Sequence, residues 1–452
     1  MRVSLYLTGL CLLNCLMATM SWGSAYLSLV IVLTYFLFRP VRVLHPNNML
    51  FGFFGLYVVL PSTISLILDL ISWEYVIPWI EVIQWKTFSK YVLFQAEFTF
   101  LVLYFGIHLF SKEYIKTSDD SPIQKSICEI NTGILVFLSF FALGLVAWFI
   151  QGTAGFDAWI SDYSYTYLTK REGYGLLNVI IIAVGNVLIF LLALKTYQTE
   201  RKWAIVLWAL FIMLALSYVN GVKARFIFLL LLFLSPYLMQ MVITLKRIVG
   251  FAAVFFCLLY LGTLVRAEGF YASPQFFLEM MIGYFNSYQL HDYIVTSRNP
   301  ALFQTVLQMF VKPLQLMGLH DPDGSFDISV MLTKEFFPDQ WYGEHATQQW
   351  PLDTELYLNY YGPWLSWLPL LAYSAFISWA YRAAVLRSNF VLLPIYVMEF
   401  QRLFSMMRGT LIPWELPIFL AQYLFIFVVC KLVIRSHFSS VSKVEEVLSA
   451  RA

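Results

Sequence analysis

Residues 174–194 read YGLLNVIIIAVGNVLIFLLAL, 21 residues without a charge. As a helix rising 1.5 Å per residue, such a run is about 30 Å long, the thickness of a bilayer's hydrocarbon core. Comparable runs lie near 4–20, 23–38, 49–71, 90–110, 131–150, 203–219, 224–243 and 248–266. After a long polar interval come 363–381, 388–403 and 412–434. Those twelve runs predict an all-α polytopic membrane protein with about twelve transmembrane helices. The first run follows a single charge, Arg2, and has no small-residue cleavage site before the next apolar segment, so a retained helix is expected there. The composition agrees. Of 452 residues 60% are hydrophobic and 12% charged, against roughly 25% charged in a soluble domain. A net charge of +2 is too small for a nucleic-acid footprint. The five cysteines have no metal-site or disulfide-framework spacing.

Lys and Arg in the short loops set the expected orientation. With the N-terminus in the cytoplasm and the runs alternating, 17 of the 29 basic residues fall on the cytoplasmic side. That model puts both termini inside. Its exceptions are the informative positions. Lys223 and Arg225 stand in or beside the outer turn between the seventh and eighth runs, and Arg402 and Arg408 flank the last outer turn. Lys170 and Arg171 precede the sixth run and suit interfacial snorkelling. A cation buried in a helix centre costs about 2.5–3.5 kcal/mol on insertion scales and marks function by default, which singles out Arg225 and Arg408.

Three regions follow: residues 1–266 with nine runs, 267–361 as one long outer loop, and 362–452 with three runs and a tail. Loops this long are usually functional or separately folded. Residues 276–295, FFLEMMIGYFNSYQLHDYIV, suit a helix lying in the interface or packed on the bundle. The middle, GLHDPDGSFD (318–327) and MLTKEFFPDQWYGEHATQQW (331–350), points to turns. Asp321, Asp323 and Asp327 alternate as in a calcium loop, but Leu332 occupies the position of the essential Glu, so a turn is expected. The end, PLDTELYLNYYGPW (351–364), carries two acids and an aromatic cluster.

No HExxH or His/Cys cluster, P-loop or G-x-S-x-G elbow is present, so no metal or cofactor is expected. What remains is outward-facing cations with a few acids and histidines. Guanidinium groups bind phosphate oxygens in pairs and stabilise a departing diphosphate. A His, Asp or Glu near an attacking hydroxyl can act as general base.

At these residues the chain resembles the O-antigen polymerases (Wzy-type), membrane enzymes that polymerise oligosaccharide repeat units of bacterial surface polysaccharides. Asn220-Gly221-Val222-Lys223-Ala224-Arg225 is similar to the family's Gly-x-(Lys/Arg)-x-(Arg) segment. Glu355-Leu356-Tyr357-Leu358-Asn359-Tyr360-Tyr361-Gly362 resembles its Glu-x-Tyr-x-Asn-Phe-Gly pattern, and Arg408-Gly409 its late Arg. Residues 284–292, YFNSYQLHD, occupy the place of another polar segment. The related ligases share this architecture, but the His-Asn-x-x-Leu pattern associated with them is absent before Gly362.

The resemblance implies a GT-C-like helical fold in the bacterial inner membrane, with a periplasmic active site. It implies transfer of a growing glycan from undecaprenyl diphosphate to an undecaprenyl-diphosphate-linked repeat unit, inverting and without metal, beside a chain-length co-polymerase. On that basis Arg225 and Arg408, assisted by Lys223, Arg402 and Arg266, are expected to hold diphosphate. The base is expected among Glu355, the His291–Asp292 pair and His345, with Tyr357 and Asn359 in the same motif. The alternatives are an O-antigen ligase and, from another class, a multi-span transporter or flippase of lipid-linked oligosaccharide. The absence of a two-fold repeat and the clustering of charges at outer helix ends argue against the transporter.

Overall fold

The computed structural model describes residues 2–17, 23–71, 89–112, 127–171, 173–199, 202–220, 222–266, 274–285, 287–306, 328–344, 347–413 and 416–437. Each of the twelve apolar runs falls on a helix. The first half holds α1 (Arg2–Met17), α2 (Ser24–Leu37), α3 (Pro46–Phe54), α4 (Leu60–Leu70) and α5 (Lys90–Ser111). Then come α6 (Thr132–Thr153), the short α7 (Gly155–Ser161) and α8 (Tyr163–Thr169), α9 (Gly175–Gln198), α10 (Trp203–Tyr218), α11 (Val222–Leu238) and α12 (Leu245–Arg266). The second half holds α13 (Pro274–Tyr284), α14 (Ser287–Ser297), α15 (Ile328–Phe336), α16 (Pro338–Glu344), α17 (Leu352–Asn359), α18 (Pro363–Tyr381), α19 (Leu393–Met406) and α20 (Leu416–Val433). Among the described residues five stretches are long and apolar enough to cross a membrane: Pro46–Ile67, Lys90–Ser111, Thr132–Thr153, Gly175–Gln198 and Leu416–Val433. The chain is an α-helical membrane protein.

Between α3 and α4 the helix widens into a π-helical turn, Gly55–Val59. Pro61 follows at once. It has no N–H for the carbonyl of Tyr57, and its ring crowds that carbonyl, which favours the wider turn. The long polar segment departs from the expectation of turns across 319–349, because residues 328–344 form α15 and α16. Ile328 and Leu332, one helical turn apart, are buried with Trp350, Leu290 and Ile294, and Pro338 opens the second helix. The turn DPDGSFD lies outside the described residues.

The chain packs as two units that interleave along the sequence. One comprises Met1–Glu113, Val242–Trp379 and Arg402–Trp414; the other Tyr114–Met241, Ala380–Gln401 and Glu415–Ala452. In the first, α5 is the central helix. A Cβ at Gly106 would stand 2.8 Å from the Ser374 Oγ of α18, so glycine permits that close approach. In the second, α9 is central and packs against α6, α10, α11 and α20. Residues Leu188–Leu194 of α9 are wholly buried. Here a Cβ at Gly185 would meet Leu216 of α10 at 2.8 Å.

The second unit has two distinct ends. At one, β1 (Ile127–Glu129) pairs antiparallel with β2 (Arg435–His437), and Lys195 Nζ donates to the Ile130 carbonyl at 3.0 Å. The start of α6 and the ends of α9 and α20 therefore share that end. At the other, Tyr163 OH donates to the Tyr218 carbonyl and Tyr218 OH to the Trp159 carbonyl, so α7 and α8 cover the end of α10.

Candidate functional site

The most developed polar site lies in the first unit and is built around α17. All eight of its residues are buried, three of them ionic or amide side chains: Asp353, Glu355 and Asn359. Such a helix needs a partner for every polar group it carries. Asp353 Oδ1 accepts from Thr99 Oγ1 at 2.5 Å and Oδ2 from Tyr288 OH at 2.8 Å. The Asp353 carbonyl accepts from Gln95 Nε2 at 2.6 Å. Gln95 and Thr99 stand in the second and third turns of α5, one of the helices able to span a membrane. The end of the long polar segment is therefore packed against the first three turns of α5, with its polar groups bonded inside the protein.

The same contacts fix the state of His291, on α14. Gln95 spends its amide N–H on Asp353, so its Oε1 is the acceptor facing His291 Nε2 at 3.2 Å. His291 Nε2 consequently carries the proton, and Nδ1 accepts from Thr354 Oγ1 at 3.1 Å. Both ring nitrogens are occupied and the ring is fully buried. Desolvation pushes the His291 imidazole down to about 3, so it stays neutral. Burial pushes the Asp353 carboxyl up to about 6, with the Thr99 and Tyr288 hydrogen bonds opposing the shift. Tyr288 is raised well above its ordinary value, first by burial and then by the Asp353 charge, so its hydroxyl remains a donor.

The other residues of the Glu-x-Tyr-x-Asn run pin α17 to its surroundings. Asn359 Oδ1 accepts from the N–H groups of Thr305 (2.7 Å) and Val306 (3.2 Å), and its Nδ2 donates to Thr305 Oγ1 at 2.8 Å. Tyr357 OH donates to the Arg298 carbonyl at 2.8 Å. Glu355 Oε2 accepts from the Leu411 N–H at 2.5 Å, and the Leu352 N–H donates to the Met407 carbonyl at 3.0 Å. The end of the long segment is thereby joined to the turn that carries Arg408.

Arg408 is half-buried, with its guanidinium 5.6 Å from the ring centre of Tyr57, the residue presented by the π-helical turn. Its Nε is buried without a hydrogen-bond partner. Arg402 lies 5.7 Å from the Tyr373 ring. Asp292 Oδ1 accepts from the Ser89 N–H at 3.0 Å, at the cap of α5. Arg266 is the last residue of α12. His345 lies outside the described residues.

The second unit holds Arg225 and Lys223, both in the first turn of α11. The Asn220 N–H bonds back to the Ser217 carbonyl, closing α10, so the next helix can begin at Val222. Arg225 Nη2 donates to Asn186 Oδ1 at 2.7 Å and lies 3.3 Å from the Ile182 carbonyl, both on α9. Asn186 is the twelfth of the 24 residues of α9. The guanidinium thus reaches toward the middle of α9 instead of resting at its end. Its Nε has no partner, and Phe228 sits 5.0 Å below it. Asn186 is fully buried, and its amide otherwise faces Met398 Sδ at 3.5 Å.

Sequence reasoning singled out Glu355 but not Asp353, two residues before it, nor Thr99, Gln95, Tyr288 and Asn186, which hold the charged groups. Asn186 is a lone polar residue in an apolar run, and Gln95, Glu97 and Thr99 alternate with apolar residues in another; those were the available signals. Among the described residues no three His, Cys, Asp or Glu side chains converge on a metal-sized site. Comparison with protein-family models, with characterised proteins and with solved structures finds no match.

Proposed function

We propose that this protein is a membrane glycosyltransferase that polymerises oligosaccharide units carried on a polyprenyl diphosphate, acting at the periplasmic face of a bacterial inner membrane. The observation that carries this reading is the junction in the first unit. There, the end of the long polar segment, through Glu355 and Leu352, grips the turn bearing the half-buried Arg408. A guanidinium with a buried, unspent Nε is suited to phosphate oxygens. Arg402 and Arg266 in that unit, and Arg225 with Lys223 in the other, are assigned to the same diphosphate chemistry. The reaction involves two lipid diphosphates, one on the donor and one on the acceptor, which accounts for more than one group of cations.

In the step itself, an acceptor hydroxyl oxygen attacks the donor's anomeric carbon. The bond from that carbon to the diphosphate oxygen breaks, and the lipid diphosphate leaves with the electron pair. The hydroxyl proton passes to a base of the 267–361 segment. His291 is neutral but has both nitrogens engaged, which leaves Asp292, Glu355 and His345 as the remaining sequence candidates. Stabilising the leaving diphosphate with fixed cations acts where negative charge develops.

The test is an assay of the purified chain in nanodiscs with a polyprenyl-diphosphate-linked repeat unit, no nucleotide sugar and a chelator present. A ladder spaced by one repeat is the expected product. Absence of a ladder, with loss of substrate from one leaflet in proteoliposomes, would replace this reading with a transporter.

A further inference from the structure

α17 holds the turn after α19 at two points four residues apart. The Met407 carbonyl accepts from the Leu352 N–H, and the Leu411 N–H donates to Glu355 Oε2 at 2.5 Å. Arg408 stands between them. Its own N–H bonds to the Ser405 carbonyl and that of Gly409 to the Met406 carbonyl, so the turn is tight as well as doubly anchored. Met407 and Leu411 are both buried. Without the carboxylate, the Leu411 N–H would be a buried donor with its acceptor removed, which a turn relieves by moving.

The other end of the clamp cannot yield easily. α17 is itself tied by Asp353 to Thr99 and Tyr288, by Thr354 to His291, and by Asn359 to Thr305 and Val306. A carboxylate that is 1% exposed and bonded to a backbone amide is presented to the turn, not to a hydroxyl arriving from outside. We propose that Glu355 is a positioning residue for Arg408: it fixes the 407–411 turn, so that the long outer segment sets where the guanidinium stands. The assignment rests on the proposed function, and it removes Glu355 from the candidates for general base.

The two roles make opposite demands on the side chain. Glu355→Gln keeps an oxygen for the Leu411 N–H and abolishes proton acceptance. Glu355→Asp keeps an acid but withdraws it by one methylene from that N–H. Hydrogen exchange of the peptide spanning 405–413, read by mass spectrometry on the full chain in nanodiscs, reports the turn directly. Polymer formation on the repeat-unit substrate reports its consequence. With Glu355 as a positioning residue, exchange rises about tenfold or more in Glu355→Ala and Glu355→Asp, the loss of a charged hydrogen bond. Glu355→Gln stays near wild type, and polymer length follows the same order.

Two results overturn the proposal: exchange in the turn unchanged in both Glu355→Ala and Glu355→Asp, or Glu355→Gln protected in the turn yet without polymer. The second would make Glu355 the base. If Glu355→Ala is not recovered folded, the Gln and Asp variants carry the comparison. If the wild type forms no polymer, the proposed function fails, while the exchange measurement still decides whether Glu355 holds the turn.

Discussion

The buried polar groups of the two units are handled in different ways. Around α17 every atom of the Asp353 carboxylate and the His291 ring has a partner, and the chain of donors and acceptors closes on itself. Around Arg225 one Asn, one carbonyl and an aromatic ring surround a cation whose Nε is left over. A closed network specifies a shape, because opening any member strands a buried group. An open one keeps bonding capacity for something that arrives later. Arg408 shares the open character of Arg225, although its backbone is held by the closed network. That division separates residues whose hydrogen bonds are spent within the fold from residues assigned to binding in the proposed function.

The widest effect is expected at the open cations. Arg408→Ala should reduce polymer formation by about 10²–10³-fold, as when one charge-stabilising group is removed from an active site. Thermal unfolding of the variant should stay close to wild type. A matching loss of stability would move Arg408 to the holding class.

Asp353→Ala is its counterpart in the closed network. It leaves the Thr99 and Tyr288 hydroxyls buried without their acceptor and should destabilise the protein by about 3 kcal/mol. The check is the unfolding temperature of the purified variant in detergent. An unchanged value would mean that the network opens to water.

The pH dependence sharpens the comparison further. The folded state holds a proton on Asp353 between its ordinary value of 3.8 and about 6, so this group lowers stability as pH rises through that window. The folded state refuses a proton on His291 between 6.5 and about 3, so that group lowers stability as pH falls. The two slopes oppose each other between pH 3.8 and 6. Asp353→Asn removes one of them. Relative to wild type, its stability should fall by about 1.4 kcal/mol for each pH unit of acidification in that window. Parallel curves for the two proteins in unfolding experiments at pH 4, 5 and 6 would refute the paired titration.

Gly362 gives a smaller effect. It sits at a φ of +60°, and a Cβ there would stand 2.3 Å from the Tyr91 hydroxyl. Gly362→Ala should cost about 1–2 kcal/mol through the left-handed backbone and the displaced phenol. A second substitution, Tyr91→Phe, should relieve part of that cost, measurable as a partial recovery of the unfolding temperature.

Much of this was legible in the chain. Each of the twelve apolar runs overlaps a described helix, and five stretches are long and apolar enough to cross a membrane, because a segment of that length and apolarity satisfies its backbone internally whatever surrounds it. The basic residues near helix ends are also visible in the sequence. Their reach is not: Arg225 stands at a helix end in the sequence, yet its guanidinium reaches Asn186, halfway along α9. The composition of the long polar segment suggests an outer loop, whereas its last helix lies against Gln95 and Thr99 of α5. The Pro, Gly and Asp of its middle suggest turns, whereas residues 328–344 form α15 and α16, and Ile328 and Leu332 of α15 are buried in one cluster with Trp350.

By itself the sequence determined that this is a helical membrane protein with a polar segment between its early and late apolar runs, since apolar length and charge placement act locally. Only the tertiary structure decided which polar residues are spent and which remain free. Thr99, Asp353 and Tyr288 are separated by as many as 254 residues in the chain and meet only on packing. A hydrogen bond depends on a separation of about 3 Å, a distance that spacing along the chain does not set for residues this far apart.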